Sequence, residues 1–231
     1  MPTLYRDDPS RAGRVIRPRP PHRILSMTER LDLMRGLKLM LGALAATATL
    51  GGATAASPRL QTAIFAGGCF WTMEHGLEDI PGVVKAVSGF AGGKEAHPTY
   101  EQVSSETTGH LEAVEVTFDP AKISYADLVN RYWRLIDPTD AGGQACDRGP
   151  SYHPAIFVAS PEQRRIAEAS KASIDKGALH GKIVVPIREA GAFWPAEEYH
   201  QHFTVKNPAR YAAYRIGCGR DRILKQIWGN G

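Results

Sequence analysis

Cysteine is scarce in this sequence: there are three in 231 residues, none of them in a Cys-x-x-Cys pair. The eight histidines include no His-Glu-x-x-His. Zinc sites rely on such spacings to bring ligands to one ion, so metal binding has little support. His200-Gln201-His202 would put two imidazoles on one face of a strand, but on a loop or helix the pair reads as surface. Charge of one sign is missing from most of the chain. Residues 1–55 hold nine Lys or Arg against four Asp or Glu, whereas residues 56–231 hold nineteen against twenty. The overall charge of +4 therefore belongs to the N-terminal segment. Nucleic acid and an anionic membrane lose their electrostatic footing as partners of the remainder. There is no internal repeat, and no linker composition after residue 60.

With 43% hydrophobic and 23% charged residues, the chain suits one globular domain. The basic N-terminal segment reads as a targeting signal. Arg35 and Lys38 precede an uncharged stretch, residues 39–57, rich in Ala, Leu and Gly and containing Ala53-Thr54-Ala55. That small-x-small pattern predicts cleavage before Ala56 and export, to the periplasm of a bacterium. A membrane anchor is the alternative, but the best apolar core is only about a dozen residues, short of a span. No cysteine follows, so a lipoprotein anchor is excluded. Residues 1–26 fit no ordered element, and Met27 and Met34 are candidate start positions. The division expected is an extension with a signal, 1–55, and a catalytic domain, 56–231. An odd cysteine count in an exported chain leaves at least one thiol unpaired.

Along that domain helix and strand signals alternate. Thr62–Ala66 is a short apolar run stopped by Gly67-Gly68, which predicts a strand; a helix follows over Cys69–Glu78. Val83–Phe90 and Leu111–Phe118 read as strands, the second half-buried. Ser124 is an N-cap for a helix to Ile136 with Leu128, Tyr132 and Leu135 on one face. Ala155–Ala159 is a strand, and Ser160-Pro161 opens a long polar helix through Lys176. Ile183–Glu189 is the last clear strand. The tail, 206–231, reads as irregular with a helical stretch around Tyr211–Arg215. Elements intermixed in this way imply an α/β (α+β) sandwich.

Chemistry is concentrated at Gly67-Gly68-Cys69-Phe70-Trp71. The two glycines permit a tight turn with positive φ. That turn would set the Cys69 sulfur at a helix N-terminus, where free N–H groups and the macrodipole favour an anion. A lowered thiol pKa and a thiolate near neutral pH follow as expectations. Phe70 and Trp71 cannot both face the core of one helix, so one or both could wall an apolar pocket beside the sulfur. A bare Gly-Gly-Cys would read as a buried structural cysteine; Gly-Cys-Phe-Trp is a much rarer string.

That string, with Ile80-Pro81-Gly82-Val83 and Ser88-Gly89-Phe90-Ala91-Gly92-Gly93, resembles the A-type methionine sulfoxide reductases. So do Pro98-Thr99-Tyr100-Glu101-Gln102-Val103, Thr108-Gly109-His110-Leu111-Glu112-Ala113-Val114 and Asp137-Pro138-Thr139. The resemblance runs from about Thr62 to Trp228. It implies a two-layer ferredoxin-like sandwich with a central mixed sheet. It also implies a reaction in which Cys69 attacks the sulfur of a methionine S-sulfoxide, free or in an oxidised protein, and keeps the oxygen as a sulfenic acid. A second thiol and a thioredoxin-like reductant would clear that acid. No metal or cofactor is implied, nor a nucleic-acid or stable membrane partner.

The resemblance also assigns roles. Glu112 occupies the position of the acid that protonates the leaving oxygen. Alternation along the strand alone would have called it exposed. Tyr100 and Tyr152 match two hydroxyls that hydrogen-bond the polarised oxygen. Either could equally be a half-buried core aromatic. Asp147 matches a site aspartate that could orient a water or a backbone group. Phe70 and Trp71 match the pocket for the substrate S-methyl group, whose burial is worth about 1 kcal/mol.

Two departures stand out. Around Asp147 this sequence has Ala145-Cys146-Asp147-Arg148-Gly149-Pro150-Ser151-Tyr152-His153-Pro154 where the family commonly has Gly-Asn-Asp-x-Gly-Thr-Gln-Tyr-Arg-Ser, which puts the backbone support of Tyr152 in question. Where many members carry a resolving cysteine soon after Lys-Asn-Pro, this chain has Ala212, and its tail cysteine is Cys218. Glycine on both sides of Cys218 suggests a loop that could swing to Cys69. A direct Cys69–Cys218 bridge is therefore expected first, then a relay through Cys146 and Cys218, then a static Cys146–Cys218 bridge. Two other classes compete for Cys69: an acyl hydrolase with His110 as base, and a redox sensor without turnover.

Overall fold

The structure is a computed structural model that describes residues 59–229, so the export signal expected before Ala56 lies outside the described residues. Strand β1 (Gln61–Ala66) runs through Gly67-Gly68 into helix α1 (Phe70–Glu78), as the apolar run and its glycine stop predict. β2 (Val83–Ala91) and β3 (Leu111–Phe118) follow, joined by a connection that carries the short helix α2 (Tyr100–Ser104). That helix has a sequence signature: Thr99 and Gln102 form a reciprocal capping box. Helix α3 (Tyr125–Arg134) starts at Ser124, whose hydroxyl accepts from the Asp127 N–H at 3.1 Å; such a cap is worth about 1 kcal/mol.

A two-residue hairpin, β4 (Gly143–Gln144) with β5 (Asp147–Arg148), leads to β6 (Ala155–Val158) and α4 (Pro161–Ile174). β7 (Ile187–Glu189) and β8 (Phe193–Pro195) complete a six-stranded sheet of order β7-β6-β1-β3-β2-β8. Every pairing is antiparallel except β6 with β7. The strand expected over 183–189 is shortened to its last three residues. Pro186 has no N–H for a ladder, and the Val184 N–H is taken by the Pro138 carbonyl at 2.9 Å. It is also not the last strand: β8 adds to the edge of β2, where Pro195 is tolerated.

The core lies on the sheet face covered by α1 and α3. Phe65, Val114, Val116 and Phe118 pack there against Met73, Leu77, Leu128 and Trp133. Each such side chain contributes about 1.5–3 kcal/mol on burial. Ile64, Ala66, Leu111, Ala113 and Phe157 form a smaller cluster on the other face. β3 is thus buried on both sides over most of its length, not half-buried as its alternation suggested. Tyr132 ties helix to sheet: its ring stacks on Phe65 at 4.8 Å and its hydroxyl donates to the Ala66 carbonyl at 2.9 Å, next to the glycine turn.

The tail is not irregular. It forms α5 (Phe203–Lys206), α6 (Pro208–Cys218) and α7 (Arg220–Trp228). Pro208 occupies the first turn of α6, where its missing N–H costs nothing. Gly219, at φ +66, makes the left-handed break before α7. Gly217, read above as a loop residue, lies inside α6, because packing of the helix overrides its low propensity. No helix among the described residues is long and apolar enough to cross a membrane.

Candidate active site

The turn between β1 and α1 is built as its glycines require. Gly68 has φ +78, and a Cβ there would stand 2.5 Å from Gln144 Cβ. Gln144 is buried. Its Oε1 accepts from the Asp137 N–H at 2.7 Å and its Nε2 donates to the Asp137 carbonyl at 2.8 Å, so it fixes Asp137-Pro138-Thr139 beside the turn. Cys69 is the N-cap of α1; its carbonyl accepts from Thr72 and Met73. Its thiol is unpaired and 6% exposed.

The expected low thiol pKa is corrected. Burial pushes the Cys69 thiol well up, and the charges of Glu112 and Asp147 push the same way. The Tyr214 hydroxyl and the Trp71 N–H pull the other way without prevailing. One free N–H of the helix end favours the anion, but desolvation in this enclosed position outweighs it.

Glu112 is buried, 3% exposed, against the reading from alternation alone. It stands in the core-facing row of β3 with Val114 and Val116, at the end that passes under the start of α1. The Phe70 N–H donates to its Oε2 at 2.9 Å. Burial, with smaller contributions from Asp147 and Glu106, pushes Glu112 up to about 8 despite that bond. At neutral pH it is mostly a neutral acid, and in that form it no longer opposes a thiolate at Cys69.

The two tyrosines arrive on separate supports. Tyr100 is the first residue of α2, and its N–H donates to Glu197 Oε1 at 2.9 Å. Tyr152 closes a 3-10 turn, Pro150–Tyr152, entered through Gly149 at φ +122. The backbone support questioned by the sequence comes from Glu106. Its carboxylate accepts from the Ser151 N–H at 2.8 Å and the Ser151 hydroxyl at 2.9 Å. Burial raises the pKa of both tyrosines and the Glu112 charge adds to it, so both hydroxyls keep their protons as donors.

Phe70 and Trp71 divide as their adjacency demands. Phe70 is buried, its ring 5.9 Å from Phe90 and 6.3 Å from Tyr100. Trp71 is half-buried, stacked on Phe203 at 3.6 Å, with its Nε1 donating to His200 Nδ1 at 3.0 Å. Asp147 does not orient a backbone group; its Oδ2 accepts the Tyr214 hydroxyl at 2.5 Å. The structure therefore brings Cys69, Phe70, Trp71, Tyr100, Glu112, Asp147 and Tyr152 around one point. It adds His200, Tyr214, Glu106 and Arg220, none of which the sequence reading singled out for the site. His200 is also a correction: it is buried between Phe70 and Tyr100 rather than on the surface.

The cysteines pair as Cys146–Cys218, with Cα atoms 5.0 Å apart. The direct Cys69–Cys218 bridge is not the one present. Cys218 is the last residue of α6 rather than part of a free loop, and Cys146 donates its N–H to the Cys218 sulfur at 3.1 Å. Both sulfurs lie 3.9 Å from Asp147, Cys218 on the Oδ2 side that Tyr214 occupies. Cys218 is half-buried and Cys146 exposed. His110 is turned away from hydrolase chemistry: Nδ1 accepts from the Gly93 N–H at 3.2 Å and Nε2 meets the Glu95 carbonyl at 2.9 Å. Among the described residues two clusters have metal-ligand types. Cys146, Asp147 and Cys218 includes two bridged sulfurs; in Glu74, Glu78 and His202, Glu74 already accepts from Ser88 and the His202 N–H.

Comparison with known proteins points the same way. Residues 61–231 match the peptide methionine sulfoxide reductase family. Peptide methionine sulfoxide reductase MsrA 2 of Caulobacter vibrioides is 56% identical over 188 residues, 80% of this chain and 95% of that protein. MsrA of Limosilactobacillus reuteri is 53% identical over 173 residues, 74% of this chain and 98% of its own. Among solved structures, methionine sulfoxide reductase A of Corynebacterium diphtheriae is 33% identical with a TM-score of 0.58, covering 66% of this chain and 77% of that one. Mxr1 of Saccharomyces cerevisiae in reduced form is 28% identical with a TM-score of 0.62, covering 65% and 87%.

Proposed function

The chain belongs to the peptide methionine sulfoxide reductase family, and from that premise we propose that Cys69 is its nucleophile, Glu112 its acid, and Tyr100 and Tyr152 the hydroxyls that receive the sulfoxide oxygen. It is a peptide-methionine (S)-S-oxide reductase that returns methionine sulfoxide to methionine by thiol chemistry. The observation that carries the residue assignment is the hydrogen bond between the Phe70 N–H and Glu112, which sets a largely protonated carboxyl group beside the nucleophile's own helix end.

In this reading the substrate methyl group packs on Phe70 and Trp71, and its oxygen points toward the two tyrosines. The Cys69 sulfur bonds to the sulfoxide sulfur while Glu112 gives its proton to the oxygen. The hydroxyl passes to Cys69 as the S–O and S–S bonds to the methionine sulfur break, and the proton of the Cys69 thiol replaces the one Glu112 gave. One thiol and one sulfoxide thus become one sulfenic acid and one thioether. Asp147 holds the Tyr214 hydroxyl at the sulfur. Cys218, on the inner side of Asp147, then attacks the sulfenic sulfur and expels water. Cys146 takes over the bridge and frees the Cys69 thiol. The exposed Cys146 sulfur of the finished bridge is open to a dithiol reductant of the thioredoxin type.

The order β6-β1-β3-β2 with its antiparallel pairings supports a ferredoxin-like core. The uncharged segment 39–57 supports export, with a mature N-terminus at Ala56 in the periplasm; sequencing that terminus on protein from its native cell tests it. For the function, the purified chain with dithiothreitol should turn over dabsylated methionine-S-sulfoxide, and the R epimer should remain. Turnover surviving in Cys69→Ser overturns the nucleophile.

A further inference from the structure

Arg220 is the one buried Lys or Arg among the described residues, 2% exposed, at the start of α7 and two residues beyond Cys218. Its Nη2 donates to the Gly67 carbonyl at 2.7 Å and to the Leu135 carbonyl at 2.7 Å, which joins the end of β1 to the end of α3. Nε and Nη1 have no hydrogen-bond partner. Nη1 sits directly behind the nucleophile turn: a Cβ on Gly68 would be 3.1 Å from it. A clamp on two carbonyls needs only the NH2 group of a neutral amide. A buried cation with two further donors left open exceeds that need, and burying a charge without a partner is costly.

We propose that Arg220 is a positioning residue for Cys69: it holds the backbone of the Gly67-Gly68 turn and places a fixed positive charge behind the sulfur for the moment the thiolate forms. The proposal rests on Cys69 as the nucleophile. The charges facing the guanidinium agree with it. Burial lowers the Arg220 pKa and the charge of Arg215 adds a little to that, while negative charge at Tyr214, Cys69 or Asp147 raises it. The coupling is reciprocal, so the guanidinium favours a Cys69 anion in turn, against the larger opposition of burial, Glu112 and Asp147. The same chain segment carries Cys218 and Arg220, so the cation and the resolving sulfur reach the nucleophile from one helix junction.

The test reads the thiol itself and is independent of turnover. In full-length chain carrying Cys146→Ser and Cys218→Ser, Cys69 is the sole thiol, and its alkylation rate by iodoacetamide at fixed pH between 8 and 10, below its raised midpoint, reports its thiolate fraction. Arg220→Gln keeps a donor for the carbonyls and removes the charge. It should slow alkylation about tenfold or more at a given pH, the equivalent of one pH unit. Arg220→Lys keeps the charge and should stay within about threefold of the parent. A folded Gln variant with the parent's rate overturns the proposal. So does a folded Lys variant slowed about tenfold or more, or failure of both variants to fold, which would assign Arg220 to the fold alone. If Cys69 were not the nucleophile, Cys69→Ser would still turn over, a result separate from any of these.

Discussion

The backbone N–H of Phe70 donates to Glu112 Oε2 at 2.9 Å, while the N–H of Trp71, the next residue, favours the anion of Cys69. The free end of α1 is therefore shared between the proposed acid and the proposed nucleophile. One element fixes the distance between them, and the two groups titrate against each other. A thiolate at Cys69 is opposed by an ionised Glu112 and unopposed by a neutral one.

The first consequence is kinetic. Glu112→Gln keeps the acceptor for the Phe70 N–H but has no acidic proton, so the rate of the first step should fall by about 10²-fold or more. In the parent the same step should weaken as pH rises through about 8, where Glu112 loses its proton. Stopped-flow single turnovers across pH 6–10 check both; a Gln variant with a normal rate removes Glu112 from the chemistry.

The second concerns stability. Glu112 has a folded pKa raised to about 8 from an ordinary 4.5. Between those values the folded state holds a proton that the unfolded state has released, so stability falls as pH rises through that window and levels off above about 8. Glu112→Gln cannot titrate. Its melting temperature should gain on the parent's steadily from pH 5 to pH 8 by calorimetry. A constant difference would mean that Glu112 is not buried as described.

The third concerns the turn. Gly68→Ala forces a Cβ into φ +78 and onto Gln144. The strain should cost about 1–3 kcal/mol in denaturant unfolding. Activity should drop further than that loss alone explains, because Gln144 also braces Asp137-Pro138-Thr139. An alanine variant of unchanged stability and rate would show that the turn tolerates a side chain.

Much of this was written locally in the sequence. Gly67-Gly68, Ser124 and Ser160-Pro161 mark their turns and caps with short-range chemistry, and the elements form where those signals stand. The Cys69 string likewise announced a nucleophile turn. The burial of Glu112 was legible through the resemblance but not in the strand itself, because period-2 alternation does not tell which strand becomes central with both faces covered. The thiol pKa failed for the same reason: the dipole is local and the desolvation is tertiary. Arg220 reaches the Gly67 carbonyl across 153 residues, Tyr214 reaches Asp147 across 67, and His200 meets Trp71 across 129. Nothing in local spacing connects them. The tail's helices were hidden by Gly217 and Gly219, only the second of which breaks a helix.

The fourth prediction separates the two recycling cysteines. Cys146→Ser should stop at a Cys69–Cys218 bridge after one turnover, and Cys218→Ser should stop at the sulfenic acid. Both should release one methionine per chain at the parent's rate and lose turnover supported by a thioredoxin-type dithiol. Peptide mapping after alkylation reads the bridges. A Cys69–Cys146 bridge accumulating in Cys218→Ser would reverse the order of the relay.

The most direct measurement is trapping of the intermediate. Full-length chain with Cys146→Ser and Cys218→Ser, given one equivalent of methionine-S-sulfoxide and then dimedone, should release one methionine and carry one dimedone adduct, located at Cys69 by mass spectrometry. Methionine released in that stoichiometry with Cys69 unmodified would contradict the assignment of the oxygen-accepting thiol.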